Sequence, residues 1–440
     1  MINRIVSLKN HQGFIKYFFN TSWLFAEQFL RILSGLFVGV WVARYLGPGQ
    51  FGIFSYALAF TAIFGGIAKL GLDSVLVRDL VNNPQKIKIY LGTAFWLKIA
   101  GAIIVFGIMA TILPFTSNDT LTNIFIFIIA SGLIFQSFEV VEFYFHSQVL
   151  AKIVTVCKVI QLTISTLIKI YLILIEAELI WFVCVIVFDS FSLAISYFIA
   201  YKMNKNPHFF QSFNIKIAKD LLKSSWPLIF SGIVVGIYMR IDQIMIKEML
   251  GEYDVGIYSA AVKLSEAFYF IPMLITSSLF PAILNAKKQS DELYNNRLQR
   301  LYTFMIWTAI IIALIMTLLS DWVIVLLYGE VFYYAGQILK IHVWSGIFVF
   351  LGMASSNWYL TENLQKLNLL NTSIGALLNV ILNFTLISAF GVIGAAYSTV
   401  VSYAVAAYLM NFVWRDSRKN FYMLNKGFLL NNIINEKKYK

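Results

Sequence analysis

Residues 44–58, RYLGPGQFGIFSYAL, decide the fold of this chain because they join two long apolar runs through a short turn. One apolar run ends at Ala43 and the next begins at Phe51. Pro48 and the glycines beside it indicate a tight connection between two helices. Much of this stretch returns 204 residues later (250 minus 46) as residues 250–262, LGEYDVGIYSAAV. The chain is therefore predicted to consist of one unit that occurs twice.

The repeat is supported by identical residues at matching positions. The identical pairs are Leu46 and Leu250, Gly47 and Gly251, Gly52 and Gly256, Ile53 and Ile257, Ser55 and Ser259, and Ala57 and Ala261, while Phe54 is matched by Tyr258. The turn also contains the spacing of a dinucleotide-binding fingerprint, Gly47-x-Gly49-x-x-Gly52. That motif requires a preceding strand and a helix with a free N-terminus, whereas this stretch joins two apolar spans, so we reject nucleotide binding.

The amino-acid composition indicates a membrane protein. The 440 residues are 59% hydrophobic and only 13% charged, which is more apolar surface than a soluble core of this size can bury. The net charge of +12 comes from dispersed bases, which argues against nucleic acid as a partner. Cys157 and Cys184 both lie in apolar runs without partner spacing, so no disulfide framework, metal site or cofactor is predicted.

Twelve stretches have the length of about 20 apolar residues that a membrane-spanning helix needs. Their approximate limits are 19–43, 52–71, 90–113, 121–145, 150–175, 179–201, 224–247, 254–284, 299–319, 336–360, 366–388 and 391–414. The predicted fold is an all-α membrane protein with two six-helix lobes, related by a pseudo-twofold axis along the membrane normal. The predicted division is an N-terminal lobe (1–201), a cytoplasmic linker (202–223), a C-terminal lobe (224–414) and a basic cytoplasmic tail (415–440).

The positions of the bases predict the orientation. Lys and Arg concentrate at the N-terminus, in alternate connections and in the tail, while the other connections contain mainly Asp and Glu. Cytoplasmic loops retain Lys and Arg, so both termini are predicted to be cytoplasmic.

Charges inside the spans are the candidate functional residues, because each is costly if it faces lipid. The bases are Arg31, Lys69, Lys98, Lys158, Lys169, Arg240, Lys263 and Lys340, and the acids are Glu27, Glu139, Glu142, Asp189, Asp242 and Glu266. The surplus of bases favours an anionic, phosphate-bearing substrate over an organic cation.

Arg240 is the strongest ligand candidate. It lies two residues from Asp242, on a nearly opposite helix face, so the two side chains cannot satisfy each other, and its fork of donors suits phosphate oxygens. Glu27 with Arg31 and Lys263 with Glu266 have spacings that permit either an intrahelical ion pair or a role in a cavity.

Two further groups favour structural explanations. Lys158 and Asp189 have similar depth on consecutive spans, which predicts an ion pair between them. Glu139, Glu142 and His146 share one helix face near the cytoplasm, and we interpret them as a solvated rim rather than a metal site because there is a single His.

Several motifs together resemble a known family. They are the turn at 44–52, Gly71-Leu72-Asp73, Arg240-Ile241-Asp242-Gln243, residues 256–261, Tyr328-Gly329-Glu330 and the glycine-rich stretch 391–396. In order and spacing they resemble the Wzx-type O-antigen flippases, in the polysaccharide transporter family of the multidrug, oligosaccharidyl-lipid and polysaccharide exporter superfamily. The connection at 176–179 lacks the glycine-rich form of 391–396, which weakens the repeat symmetry.

The resemblance implies translocation of an undecaprenyl-diphosphate-linked oligosaccharide, a unit of O-antigen lipopolysaccharide or capsule, across the bacterial inner membrane by alternating access. A polysaccharide polymerase and chain-length proteins are the implied partners, besides membrane lipid. We assign Arg31, Arg240 and Lys263 to the diphosphate, and Glu27, Asp242 and Glu266 to ion coupling or charge balance.

Three alternatives remain at this point. A multidrug exporter and a lipid-linked peptidoglycan-precursor flippase of the same superfamily share the architecture. A membrane polymerase or glycosyltransferase needs a sizeable external loop with catalytic carboxylates, and the external connections here are short. We therefore predict that the chain is not an enzyme and has no catalytic residues.

Overall fold

The computed structural model describes residues 12–429. Apolar runs in a membrane must satisfy their backbone hydrogen bonds internally, and every regular element in this range is helical. The helices are α1 (Gln12–Lys69), α2 (Leu72–Asn82), α3 (Ile87–Ile112), α4 (Thr120–Phe135), α5 (Glu139–Ser147), α6 (Ala151–Leu174), α7 (Leu179–Met203), α8 (Ile215–Met249), α9 (Glu252–Glu266), α10 (Phe270–Gln289), α11 (Asp291–Tyr328), α12 (Tyr334–His342), α13 (Ser345–Thr361), α14 (Gln365–Phe390), α15 (Val392–Ala404), α16 (Met410–Val413) and α17 (Arg418–Phe428).

Within this range, 11 helical stretches are long and apolar enough to cross a membrane. The first, Ser22–Asn82, has 61 residues, about three times what one crossing requires, and α1 is interrupted inside it at Gly47 (φ 68°). Gly47 therefore separates two spans at the turn predicted from the sequence. Counting that stretch as two spans gives the twelve predicted, and the all-α membrane fold is confirmed.

The chain packs as two compact units. The first contains the residues up to Tyr45 together with Ala57–Gly236, and the second contains Leu46–Tyr56 together with the residues from Ile237 onward. The division therefore falls inside α8, and the turn after Gly47 is part of the second unit.

The two repeats of the turn meet inside the second unit through their glycines. A Cβ atom on Gly52 would lie 1.7 Å from the carbonyl oxygen of Glu252, and a Cβ on Gly256 would lie 1.9 Å from that of Pro48. The contact is reciprocal, because Gly52 and Gly256 are equivalent in the repeat, as are Pro48 and Glu252 (48 plus 204 is 252). Only glycine permits backbones to approach this closely, which explains why both positions lack a side chain.

Four spans are interrupted partway along. The interruptions are Gln136–Phe138 between α4 and α5, Ala267–Tyr269 between α9 and α10, residues 343–344 between α12 and α13, and the π-helical Val405–Leu409 between α15 and α16. Such breaks change the regular spacing of side chains along a helix, and they are frequent at functional sites.

Two short helices were not predicted from the sequence. α2 follows Gly71, which has a φ of 57°, and buries Leu72, Leu76 and Leu80 in the core of the first unit. α17 lies in the segment predicted as a basic tail, and Asn420 on it accepts a hydrogen bond from the buried Tyr302 hydroxyl (2.5 Å). Both helices are too short and too polar to register as spans. The remainder of the predicted tail, and the basic residues Arg4 and Lys9, lie outside the described residues.

The predicted linker region, 202–223, contributes to the core of the first unit. Phe209 is buried, and the indole nitrogen of Trp96 donates to the carbonyl oxygen of Phe210 (2.7 Å). The last residues of this region already belong to α8, which begins at Ile215.

Candidate functional site

Arg240 and Glu266 form a two-point ion pair in the second unit. The two terminal nitrogens of the Arg240 guanidinium donate to the two carboxylate oxygens of Glu266, at 3.3 and 3.2 Å. Both side chains are largely buried, with 29% and 22% of their surfaces exposed. As predicted, Arg240 and Asp242 do not satisfy each other. Glu266 thus binds Arg240, which lies on another helix.

Asp242 is a buried carboxylate that is surrounded by neutral donors. The Tyr258 hydroxyl and the Thr399 hydroxyl both donate to Oδ2, and the Asn383 amide donates to Oδ1, each at 2.6 Å. Only 5% of the Asp242 surface is exposed. No Lys or Arg in the described chain forms an ion pair with it. The carboxyl group of Asp242 thus binds donors from α9, α14 and α15.

An amide and hydroxyl network extends the Asp242 site. Asn383 also donates to Oδ1 of Asn379 (3.1 Å), and Asn379 donates to the hydroxyl of Ser402 (3.1 Å). Asn379, Asn383 and Ser402 are completely buried. This network was not predicted from the sequence, because only charged side chains were taken as candidates. The signal was available, because Asn379 and Asn383 are polar residues one helical turn apart within an apolar span.

Arg31 forms the intrahelical ion pair that was one of its two predicted arrangements. Its Nε lies 3.1 Å from Oε1 of Glu27, and one terminal nitrogen donates to the Gln28 side chain (2.7 Å). Glu27 is buried, while 52% of the Arg31 side chain is exposed. The guanidinium is thus anchored at one edge and accessible at the other.

Lys263 is partly buried in the second unit, with its ammonium 6.0 Å from the centre of the Phe51 ring. Phe51 belongs to the turn and also packs edge-on against Phe332 (centroids 6.2 Å apart). Lys263 and Arg240 therefore both lie in the second unit, on α9 and α8, whereas Arg31 lies in the first.

The first unit contains three ion pairs between spans. Lys98 donates to Glu139 (2.7 Å), Lys158 to Glu142 (2.6 Å) and Lys169 to Asp189 (3.2 Å). The predicted pair of Lys158 with Asp189 is wrong. Lys158 and Lys169 lie 11 residues apart (169 minus 158) on nearly the same face of α6, a rise of about 16 Å, so Asp189 lies at the depth of Lys169 and not at that of Lys158.

The interpretation of Glu139, Glu142 and His146 as a solvated rim is also wrong. Only 13% of the Glu142 side chain is exposed, and it accepts hydrogen bonds from Lys158 and from the Tyr197 hydroxyl (2.6 Å), with His146 at 3.2 Å. These acids neutralise lysines inside the unit. Within residues 12–429, no group of three or more His, Cys, Asp or Glu side chains is arranged to hold a metal ion.

The sequence matches a family described as "Polysaccharide biosynthesis protein" over residues 18–287, more than half of its length. The chain belongs to this family. A second family, MatE, matches residues 227–385. Both matches fit the predicted exporter superfamily, and family membership confirms the prediction that the chain is a transporter-type protein and not an enzyme.

Two curated relatives support the assignment. The "Probable flippase AglR" of Haloferax volcanii is 30% identical over 184 residues, which cover 39% of this chain and 37% of AglR. The "Capsular polysaccharide biosynthesis protein CapF" of Staphylococcus aureus is 21% identical over 393 residues, 88% of this chain and 96% of CapF. The chain thus aligns with less than half of AglR but with nearly the whole of CapF.

Solved structures show the fold. An inward-facing multidrug resistance MATE transporter matches with a TM-score of 0.73 at 15% identity, covering 90% of this chain and 96% of that one. The lipid II flippase MurJ, in an inward closed conformation, matches with a TM-score of 0.68 at 17% identity, covering 94% and 92%. The two-lobe helical architecture predicted from the repeat is the architecture of these neighbours.

Proposed function

We propose that the chain is a flippase that moves an undecaprenyl-diphosphate-linked oligosaccharide, an O-antigen or capsule repeat unit, across the bacterial inner membrane by alternating access. The observation that carries this proposal is the match to the polysaccharide biosynthesis family over residues 18–287. The flippase name of AglR and the capsule role in the name of CapF support it. Both termini lie in the cytoplasm, and a polymerase and chain-length proteins use the product.

The diphosphate binds to Arg240 and Lys263, which both lie in the second unit. Glu266 offers the Arg240 guanidinium two carboxylate oxygens, which is the same two-point geometry that a phosphate offers. A diphosphate therefore competes directly with Glu266 for Arg240. In this scheme Glu266 balances the charge of Arg240 while no substrate is bound, and Glu27 balances that of Arg31.

Asp242 couples transport to protons. The other acids within the spans each bind a Lys or an Arg, whereas Asp242 binds only the neutral side chains of Tyr258, Thr399 and Asn383. A proton on Asp242 replaces one acceptor with a donor, so at least one of these bonds must rearrange. Because the donors come from three helices, protonation changes the hydrogen bonds that link α8 to α9, α14 and α15.

The test is a flipping assay with purified protein in liposomes that contain a labelled undecaprenyl-diphosphate oligosaccharide. We expect Arg240→Gln to lower the rate about tenfold or more, since a charged hydrogen bond to the ligand contributes about 1.5–3 kcal/mol. Arg78→Gln is the matched control, because Arg78 is an exposed arginine that is paired with Asp79. Wild-type rates for Arg240→Gln would remove Arg240 from the site, and no flipping by the wild type would reject the function.

A multidrug exporter is the second candidate, favoured by the MatE match over residues 227–385. The phenotype of a deletion strain distinguishes the two functions. Loss of surface polysaccharide with unchanged drug resistance supports the flippase. Increased drug sensitivity with intact polysaccharide supports the multidrug exporter.

A further inference from the structure

A cavity of about 160 Å³ lies inside the first unit, beside the Gln136–Phe138 break that separates α4 from α5. Four helices line it: the end of α4, the start of α5, and the middle parts of α6 and α7. The lining residues that matter here are Phe135, Gln136, Glu139, Gln161, Asp189 and Ser190. A polar cavity inside an apolar bundle is costly unless it has an occupant that forms hydrogen bonds.

The charges around the cavity are already balanced. Asp189 accepts from Lys169 through Oδ2 (3.2 Å), and Glu139 accepts from Lys98 through Oε2 (2.7 Å). Neither lysine is among the residues that line the cavity. An added cation would therefore lack a counter-charge in the membrane interior, and an anion would face two carboxylates. The cavity fits an uncharged ligand.

The hydrogen-bonding groups favour a ligand that is rich in donors. Oδ1 of Asp189 is buried and has no hydrogen-bond partner in the described part of the chain. Gln136 and Gln161 add amides that both donate and accept. Hydroxyl groups satisfy all three side chains, because a hydroxyl donates to a carboxylate and exchanges hydrogen bonds with an amide.

One wall of the cavity is aromatic. Phe135 lies on it and is fixed by an edge-on contact with Phe191, whose ring centre is 5.1 Å away. Aromatic faces attract weakly positive C–H groups. A pyranose ring presents hydroxyls on its edge and C–H groups on a face, so its chemistry matches both the polar lining and the ring.

We propose that this cavity is a binding subsite for one uncharged sugar ring. The assignment rests on the proposed flippase function, because a lipid-linked glycan supplies such a ring. It assigns the sugar to the first unit, while the diphosphate binds to cations elsewhere in the chain.

The proposal is tested by cysteine protection in the purified full-length protein. Cys157 and Cys184 are first replaced by Ala, and Ser190→Cys then places a single thiol on the cavity wall. Alkylation by N-ethylmaleimide is followed with and without glucose, galactose or N-acetylglucosamine. We expect at least one of these sugars to slow alkylation about threefold when present at about twice its dissociation constant. Thr163→Cys is the control, because Thr163 is an exposed residue of α6, and its alkylation should not respond.

Other outcomes overturn the assignment. Protection by sodium chloride but not by choline chloride would make the cavity a cation site, and protection by glucuronate or inorganic phosphate would make it an anion site. An absence of protection at both Ser190→Cys and a second reporter, Gln161→Cys, would leave no sugar subsite. If Ser190→Cys is protected, Asp189→Asn should raise the sugar concentration needed for the same protection about fivefold to tenfold, the effect of one lost hydrogen bond.

A separate measurement distinguishes failure of the cavity from failure of the flippase. The wild-type gene is tested for restoring surface polysaccharide in a deletion strain. Restoration without sugar protection rejects only the cavity assignment, whereas failure to restore rejects the proposed function whatever the cysteines show.

Discussion

Both units contain ion pairs between helices, but the second unit also contains a buried carboxylate that binds only neutral donors. In the first unit, Lys98, Lys158 and Lys169 each bind a carboxylate on another span. In the second unit, the buried Asp242 binds only neutral hydroxyl and amide donors. An ion pair fixes the charges of both partners, because either partner alone is costly in the membrane interior. A carboxylate among neutral donors can gain a proton without leaving a charge behind.

We therefore expect the polar interiors of the two units to have different roles. Five of the six acids within the spans form ion pairs, and Asp242 is the exception. The ion pairs of the first unit stabilise its structure and neutralise the surroundings of its cavity. The Asp242 network is suited to a change of protonation state. Four substitutions test this comparison.

The largest loss of stability is expected for Glu142→Leu in the first unit. This substitution removes the acceptor of Lys158 and of the Tyr197 hydroxyl, leaving a partly buried charge unpaired. A cost of about 3–5 kcal/mol is expected for breaking such a pair. The yield of monodisperse protein in detergent and its melting temperature measure it. The double variant with Lys158→Met should recover much of the loss, and a single variant as stable as the wild type would contradict the structural role of the pair.

Gly256→Ala in the second unit has a purely steric effect on stability, with which the effects of the polar substitutions can be compared. The new methyl group would lie 1.9 Å from the carbonyl oxygen of Pro48, and we expect a loss of about 1–3 kcal/mol, the usual cost of overpacking. Melting of the purified variant measures the loss. Gly49→Ala is the control, because a Cβ there meets nothing within 4 Å. Equal melting temperatures for the two variants would contradict the close approach of the repeats.

Asp242→Asn should change stability by less than about 1 kcal/mol, because the hydroxyls of Tyr258 and Thr399 can rotate to suit an amide. Its expected effect is on transport, whose rate should fall and lose its dependence on pH. The liposome flipping assay at several pH values measures both. Glu292→Gln, at an exposed acid, is the control. An unchanged pH profile in Asp242→Asn would exclude the coupling role and remove the functional contrast between the units.

The smallest change in stability is expected for Arg31→Gln. Arg31 and Glu27 form an i, i+4 pair in which half of the Arg31 side chain is exposed, and such pairs contribute about 0.3–0.5 kcal/mol. Melting curves at low and high salt measure the loss, which should shrink as salt screens the pair. If Arg31→Gln lost as much stability as Glu142→Leu, solvent exposure would not explain the difference between the two ion pairs in their contribution to stability.

Much of the fold was predictable from short-range features of the sequence. The apolar runs placed the spans, and the break at Gly47 was predicted from the glycines and Pro48 around it. The repeat predicted equivalent roles for Gly52 and Gly256. α2 and α17 were missed, since a short helix that packs on one face lacks the apolar length of a span.

The candidate residues were easier to find than their partners. Arg31, Arg240, Lys263, Glu27, Asp242 and Glu266 stood out because charge is rare in an apolar span. The pairing of Lys158 with Glu142 and of Lys169 with Asp189 did not follow from the sequence. Residue numbers give the depth of a side chain only to within a few helical turns, and they do not give the rotation of one helix against another.

The sequence by itself determined that the chain is a duplicated helical membrane protein with charges inside its spans, because hydrophobicity and helix breaks are local properties. Only the tertiary structure decided that Glu266 binds Arg240 and that Asp242 is left to neutral donors. The reason is physical: a side chain on one helix selects among partners on several others, and the packing of those helices fixes which of them comes within hydrogen-bonding distance.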